Sequence, residues 1–395
     1  MSDLDVTWLL PDGAGGGRVP GGTARIPGTI PGDRVRFREV GRRGRTVQGV
    51  LEEVLVPSPD RRPPPCPWDA ACGGCDLSAF ASEPRRAALS GIVQRAFRLD
   101  ALPPVHASPR ADYRARIKLA VQEGRVGYRA AGTHDLVEVG TCGIARPEVR
   151  EALTHLRAWA AEHAEAPVRA AEIRSDETRA VFALQGAGRG ADLAEADAAA
   201  LGAVALDGRV LHGDPTLHLH VGDLVLRASP NAFYQVNLEV NAALVGHVTA
   251  RVAEVEPQRV LDLYAGIGNL GLPLARLAPV VAVEIEGQAT ADLRANAEAA
   301  ALPVEVRTAP VERFDPAQVA FDVAVLDPPR SGAPGVLDRL LLNRPRAIVY
   351  VACNPPVAAR DCRAALKAGY RVTDVTCFEM FPDTHHVEAV VVLQR

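Results

Sequence analysis

The sequence predicts an α/β protein, with a doubly wound, mostly parallel sheet at the C-terminus, a small N-terminal β-barrel, and a central α+β region between them. Three observations predict it. From residue 226 to 395, short apolar strands alternate with helical segments, the pattern of a sheet covered on both faces. Residues 1–62 carry short alternating strands between glycine turns at Gly13 to Gly17, Gly21-Gly22 and Pro31-Gly32, as small barrels do. Residues 63–225 mix helical and strand-like stretches and hold four of the seven cysteines. A chain of 395 residues has room for these three units.

Composition narrows the function. Nearly half the residues are hydrophobic (48%) and the formal net charge is −4. A core is therefore available, and a generically polybasic nucleic-acid binder is excluded. No apolar run is long enough to span a bilayer, and Met1 to Asp12 reads as acidic rather than as a secretory leader. A cytoplasmic protein with no membrane and no obligate protein partner is expected. In that compartment, grouped cysteines indicate a metal or catalysis more than disulfides.

In chain order, Asp33-Arg34-Val35-Arg36-Phe37-Arg38 represents the barrel strands, and a proline-rich joint from Pro57 to Pro67 closes the first unit. The central unit reads as a helix over Pro84–Leu99, strands within Ile117–Val139, and an alanine-rich helix over Pro147–Ala164. The alanine- and glutamate-rich Gly186 to Leu201 reads as helical or loop-like, a solvated connection with no function of its own. Strands then follow at Val260–Tyr264, Val280–Ile285, Val304–Thr308, Val323–Leu326, Ala347–Ala352, Val372–Phe378 and Val387–Leu393, with helices at Ala289–Ala301 and Val357–Ala368. The last two strands are joined by a stretch too short for a helix, so they pair antiparallel.

The strand Val260-Leu261-Asp262-Leu263 runs into Tyr264-Ala265-Gly266-Ile267-Gly268-Asn269. Glycines there let backbone approach a ligand, and the following helix offers unpaired N–H groups. Glu284, ending the next strand, is placed to hold two ribose hydroxyls. The run lacks the fuller G-x-G-x-x-G fingerprint, which favours S-adenosylmethionine over a nicotinamide cofactor.

Asp327-Pro328-Pro329-Arg330 and Cys353-Asn354-Pro355 each follow an apolar strand, at the sheet edge where open α/β folds bind ligands. Cys353, just before a helix, is expected to have a lowered pKa. Glu388 opens the last strand. Carbon 5 of uracil is a poor nucleophile until a thiolate adds to carbon 6, and a base must later remove the carbon 5 proton. Cys353 suits the first role, Glu388 the second, and Asp327 an orienting role. A lone strand-end cysteine is more often a buried small hydrophobe, as Cys362 and Cys377 are read here. The combination is what points to chemistry.

These motifs, in this order, resemble the RNA 5-methyluridine methyltransferases, in the branch with a TRAM barrel and an iron–sulfur cluster that acts on 23S ribosomal RNA. The resemblance covers almost the whole chain. It is carried by Pro57-Ser58-Pro59-Asp60-Arg61 before Cys66, Cys72-Gly73-Gly74-Cys75, Tyr113-Arg114-Ala115-Arg116, and Ser229-Pro230-Asn231-Ala232-Phe233-Tyr234-Gln235-Val236-Asn237. Asp327-Pro328-Pro329-Arg330-Ser331-Gly332, Cys353-Asn354-Pro355 and Phe381-Pro382-Asp383-Thr384-His385-His386-Val387-Glu388 complete it. The resemblance implies a TRAM/OB-like barrel, an iron–sulfur domain and a Rossmann-like methyltransferase domain. It implies Cys353 as nucleophile, Glu388 as base, and Gln235, Tyr264, Asn269, Glu284 and Asp327 as donor-binding residues. The chain departs from the family pattern at Ala352 (usually Ser), Val357 (usually Thr), Glu379 (usually Asp) and Asp383 (usually His, Gln or Tyr). It also lacks the usual polar donor contact around Ala309-Pro310-Val311.

Cys66, Cys72, Cys75 and Cys142 supply four thiols, which suit zinc or an iron–sulfur cluster. Their three-plus-one spacing, with the family likeness, favours [4Fe-4S]. Two arginine sets are expected to meet RNA phosphates: Arg34, Arg36, Arg38, Arg42, Arg43 and Arg45, and then Arg110, Arg114, Arg116 and Lys118. Ribosomal and transfer RNA remain open as substrates, as does a non-catalytic RNA-binding protein.

Overall fold

The structure is a computed structural model that describes residues 1–395. Its N-terminal unit is one six-stranded sheet: β1 (Ser2–Asp5), β2 (Trp8–Leu9), β3 (Gly15–Val19), β4 (Gly22–Ile26), β5 (Arg34–Arg43) and β6 (Thr46–Val56), in the order β1-β5-β6-β4-β3-β2. Alternation along β5 points Val35 and Phe37 into a small core with Leu4, Ile26 and Val47. The arginines between them face outward.

The central unit holds α1 (Ser82–Phe97), β7 (Val105–His106), β8 (Arg116–Gln122), β9 (Arg125–Arg129), β10 (Leu136–Glu138), α2 (Pro147–Glu162), β11 (Val168–Ser175), β12 (Ala180–Gly186), α3 (Glu195–Leu201), β13 (Val204–Leu206) and β14 (Arg209–His212). Seven of its strands join in the order β10-β9-β8-β11-β12-β13-β14, and α2 and α3 cover their apolar side. Of Gly186 to Leu201, the part Glu195–Leu201 is helix and the rest is connection.

The rest comprises β15 (Leu217–Val221), β16 (Leu224–Ala228), α4 (Leu238–Ala253), β17 (Val260–Leu263), α5 (Gly271–Leu274), β18 (Val280–Glu284), α6 (Gly287–Ala299), β19 (Val304–Thr308), β20 (Val323–Leu326), α7 (Val336–Leu340), β21 (Ala347–Ala352), α8 (Pro355–Asp361), α9 (Arg363–Lys367), β22 (Arg371–Phe378) and β23 (Glu388–Gln394). The sheet order is β19-β18-β17-β20-β21-β23-β22-β7. Strands β17 to β21 run parallel, while β23 is antiparallel to both β21 and β22. Period-two alternation splits every strand between two cores. Val260, Val280, Val323 and Val349 meet α4 and the β15–β16 hairpin, whereas Leu261, Val281, Ala324 and Ile348 meet α1, α7 and α8. Between β17 and β20 the chain changes direction across the sheet, and crevices at such switch points bind ligands.

Three findings revise the domain boundaries read from sequence. The cut at 225/226 falls inside the β15–β16 hairpin, whose Leu217, Leu219, Leu224 and Leu226 belong to the C-terminal core. Strand β7 adds to the far edge of that core's sheet, and α1 packs on it. From the N-terminal sheet, Leu9 and Ile30 are buried in the same core, so this sheet is docked rather than tethered. The helix expected over Val357–Ala368 breaks into α8 and α9 at Cys362. No helix is long and apolar enough to cross a membrane.

Leu9 is 1% exposed, and truncating such a side chain leaves a cavity that costs about 3 kcal/mol. Leu9→Ala is expected to lower the unfolding free energy by about that much in chemical denaturation. An unchanged denaturation midpoint would show that the N-terminal sheet is not part of the cooperative core.

Candidate active site

Two loops at the switch point form the first half of the site. After β17, Tyr264 takes a positive φ of 62°, followed by Gly266 at 55° and Gly268 at 99°. A Cβ on Gly268 would lie 2.6 Å from the Cδ1 atoms of Leu272 and Leu293, so only glycine lets the turn pack on the helices behind it. Gln235, Tyr264, Asn269 and Asp327 line one cleft with Phe233, His220 and Asn241. Glu284 stands outside that lining. Its Oε2 accepts from the Gly266 N–H at 3.0 Å and its Oε1 from Ile285 N–H and Glu286 N–H, so it braces the turn. The Tyr264 hydroxyl donates to Glu312 at 2.9 Å. Asn241 and Asn269 exchange amide hydrogen bonds at 2.8 and 2.9 Å. Asn241 has no motif signature in the sequence, because an asparagine inside α4 reads as ordinary helix surface.

The loop carrying Gln235 is fastened from below. Arg174, almost fully buried, donates to the Ser229 and Ala232 carbonyls and stacks on Tyr234. Asp292 accepts from both the backbone and the hydroxyl of Ser229. These contacts tie the loop to β11 on one side and α6 on the other.

The second half lies at the end of β21. Ala352 pairs with Ala389, so continuing the antiparallel register by one residue sets Cys353 opposite Glu388. A parallel last strand would have carried its first residue to the other end of the sheet. Cys353 lies in a cavity of about 230 Å³ with Asn354, Pro355, Arg330, His385, His386, Val387 and Ile92, closed on one side by Pro11 and Asp12 of the N-terminal sheet. The sequence gives no sign of that last wall.

Burial dominates the electrostatics. Glu388 is 5% exposed, and its Oε2 has no hydrogen-bond partner. Loss of water, then the Asp327 charge, pushes its pKa up to about 8, with Arg330 opposing. Desolvation raises Asp327 to about 7. Asp262, buried under the glycine turn, reaches about 8 by desolvation and by repulsion from Asp327 and Glu284. For Cys353 the expectation of a lowered pKa is overturned. Desolvation, followed by the Glu388 and Asp327 charges, pushes the thiol up to about 12 and outweighs the nearby Arg330. The helix that follows is too short and the neighbouring carboxylates too close for its N-terminus to prevail. His386 falls to about 4 through desolvation and the neighbouring His385 and Arg330, so its imidazole is neutral.

The four early cysteines are brought into one neighbourhood, all unpaired and half-buried. Gly73 N–H donates to the Arg129 carbonyl at 3.3 Å, placing the Cys72–Cys75 loop against the end of β9. The Cys72 thiol is raised by burial and then by the Cys142 and Cys66 charges, and Tyr128 hydrogen-bonds Cys142. The thiols are not drawn into a closed ligand shell. Cys362 and Cys377 are fully buried core thiols, as expected.

The arginine sets are less free than the sequence reading supposed. Arg36 pairs with Asp3 and Glu53, Arg38 with Glu52, and Arg42 with Glu39. Arg116 pairs with Glu172, and Arg110 with Asp383. The acids of Arg36, Arg38 and Arg116 come from neighbouring strands, a pairing invisible until the register is known, while Glu39 answers Arg42 along its own strand.

A family description of tRNA (uracil-5-)-methyltransferases matches residues 212–395. The chain is 33% identical, over 98% of its length and 92% of the relative's, to a 23S rRNA (uracil(1939)-C(5))-methyltransferase of Pectobacterium atrosepticum. The chain belongs to the RNA uracil-5-methyltransferase family. A second such relative, from Pseudomonas syringae pv. tomato, is 32% identical over 99% of this chain and 93% of its own. Among solved structures, a Pyrococcus abyssi tRNA (uracil-54, C5)-methyltransferase bound to S-adenosyl-L-homocysteine shares the fold, with a TM-score of 0.80 and 24% identity over 99% of this chain and 100% of that one.

In this uracil-5-methyltransferase the raised Glu388 pKa links stability to pH. The folded protein keeps a proton that the unfolded chain releases near the ordinary value of 4.5. The resulting stability is complete below that value and is lost as pH rises through about 8. Glu388→Gln stays neutral throughout. Its unfolding free energy relative to wild type is expected to improve by about 3 kcal/mol between pH 5 and pH 9 in urea denaturation. A difference that does not move with pH would contradict the buried, protonated carboxyl.

Proposed function

We propose that this protein is an S-adenosylmethionine-dependent enzyme that methylates carbon 5 of a uridine in 23S ribosomal RNA, with Cys353 as nucleophile and Glu388 as base. The observation that carries the reading is the register that sets Cys353 opposite a buried Glu388 whose Oε2 lacks a partner. The long whole-chain likeness to 23S rRNA enzymes favours that substrate. The tRNA names of the family description and of the archaeal structure make transfer RNA the second one to test.

The sulfur of Cys353 adds to carbon 6 of the uracil, and the ring electrons move to carbon 5 and oxygen 4. The donor supplies an electrophilic methyl group to that carbon. Glu388, ionised, then takes the carbon 5 proton; the C–H electrons re-form the ring double bond, and the carbon–sulfur bond breaks to return the thiolate. A carboxyl with pKa near 8 is a stronger base than an ordinary glutamate, and an uncovered Oε2 faces no competing donor. The raised pKa of Cys353 keeps the resting nucleophile protonated and unreactive, so its proton must leave before or as the sulfur adds. Neutral His386 supplies a hydrogen bond in the same cavity without adding a charge.

Gln235, Tyr264, Asn269, Glu284 and Asp327 would hold the donor. Glu284 and Asp327 would accept from its hydroxyl and amino groups, and Tyr264 would pack against it. Cys66, Cys72, Cys75 and Cys142 would hold a [4Fe-4S] cluster. This is supported by four unpaired, half-buried thiols in one neighbourhood, where burial, with the Cys142 charge adding to it, raises the Cys72 and Cys75 thiols, an arrangement that favours a shared cationic centre. The cluster would supply a rigid link between the β9 end and the Cys75–Leu77 turn, with no electron needed by the reaction. The six-stranded N-terminal sheet would be the TRAM-like barrel. Ribosomal RNA is cytoplasmic, and the protein would act there.

Incubation with labelled S-adenosylmethionine and unmodified 23S RNA should place label in 5-methyluridine. Cys353→Ala should lower the rate by roughly a thousandfold or more, and Glu388→Gln should accumulate a protein–RNA adduct stable to denaturation. Label only with transfer RNA would change the substrate, and methylation by Cys353→Ala would refute the covalent route. Anaerobically purified protein should contain iron and acid-labile sulfide in equal amounts; zinc instead would refute the cluster.

A further inference from the structure

The turn between β22 and β23 carries two acids at positions where the family pattern has other residues, and the structure shows what holds them. Glu379 and Asp383 are both buried. Arg85, fully buried on α1, donates to Glu379 at 2.6 Å and also to Asp383. Arg86 reaches the other Glu379 oxygen at 3.1 Å. Arg110 donates to Asp383 at 3.0 Å and Arg62 at 3.2 Å. Three separate segments thus grip one turn through charge. Leu77 N–H adds a bond to the Asp383 carbonyl at 2.9 Å, and His385 N–H one to Asp76 at 3.0 Å. Asp383 itself has a φ of 66°, a conformation non-glycine residues rarely take without such restraint.

Cys353 is held independently of this turn. Tyr350 and the Ala333 N–H both bind Asp361 on α8, and Asn354 donates to the Arg330 carbonyl. Glu388 is the first residue of β23 and pairs with Phe378 at the other end of the turn, so the fastening of 379–387 bears on the Glu388 and His386 side chains more than on Cys353.

We propose that Asp383 is a positioning residue for proton removal: its pairs with Arg85 and Arg110 hold the turn so that Glu388 stands opposite Cys353. The inference rests on the proposed reaction. In the methylated adduct, Glu388 must take the carbon 5 proton before the carbon–sulfur bond can break. Neutralising Asp383 leaves Arg85 with one buried partner and the turn without its anchor. Addition and methylation then continue, and release of product slows.

The test uses the full chain, labelled S-adenosylmethionine and unmodified 23S RNA. It reads methylated covalent adduct on a denaturing gel, free 5-methyluridine, and RNA affinity by filter binding. Asp383→Asn is expected to slow turnover about tenfold or more and to accumulate methylated adduct, with RNA affinity within about twofold of wild type. Turnover equal to wild type overturns the proposal. So does a loss of adduct and product in equal proportion, which marks a merely structural role. Should Asp383→Asn fail to fold, Arg110→Gln at the more exposed rim faces the same two outcomes. A wild-type protein that makes no 5-methyluridine instead removes the reaction itself, which separates the two failures.

Discussion

Glu388, Asp327 and Asp262 are withdrawn from water at one edge of one sheet, and Asp327 adds to the ionisation cost of the other two. Few carboxyl groups in a protein of net charge −4 are treated this way, and the surrounding structure is arranged to make it possible. The parallel strands β17, β20 and β21 deliver a glycine turn, an aspartate and a cysteine to the same edge, and the antiparallel β23 returns a glutamate to it. Such a cluster tolerates one negative charge far better than two or three. A thiolate, a carboxylate base and a phosphate-bearing substrate all compete for that tolerance. Arg330, which lies in the cavity and lowers both the Cys353 and Glu388 values, is the cation that offsets it.

Much of this was legible before any coordinates. Period-two apolar strands, the glycine turn after Asp262, and the strand-end positions of Asp327 and Cys353 follow from local sequence, because a strand end is a place as well as a pattern. The antiparallel closing pair followed from a connection too short for a helix. What escaped depends on contacts between distant segments. Pro11 and Asp12 enter the Cys353 cavity only because Leu9 and Ile30 dock into a core hundreds of residues away in sequence. Asn241 matters through its pairing with Asn269. The Cys353 pKa was misjudged because a helix N-terminus is visible in sequence, while two enclosed carboxyl groups facing the thiol are not.

The arginines illustrate the same limit. As sequence, Arg34 to Arg45 form a cationic stretch; as structure, Asp3, Glu52 and Glu53 answer Arg36 and Arg38 across the strands, and Glu39 answers Arg42 along its own strand. An exposed pair of this kind contributes little to stability. It does determine how much positive potential remains for a phosphate backbone, and Arg34 and Arg43 emerge from the sheet with no carboxylate named against them among its ion pairs. RNA affinity would then come from a few local cations and from shape, not from the field of the whole chain.

The departures at 379 and 383 gain meaning in this setting. An acid at 383 inside an apolar turn would be destabilising alone, since burying an unpaired charge costs several kcal/mol. Here Arg62, Arg85 and Arg110 meet it from the linker, α1 and the segment before β8. The acid and the arginines make sense only together, so the turn that presents Glu388 is fastened by the same region that carries the clustered cysteines. Leu77 and Asp76, immediately after Cys75, touch that turn as well. The cysteine-bearing loop and the turn before Glu388 are therefore neighbours, joined by direct hydrogen bonds from Leu77 to Asp383 and from His385 to Asp76.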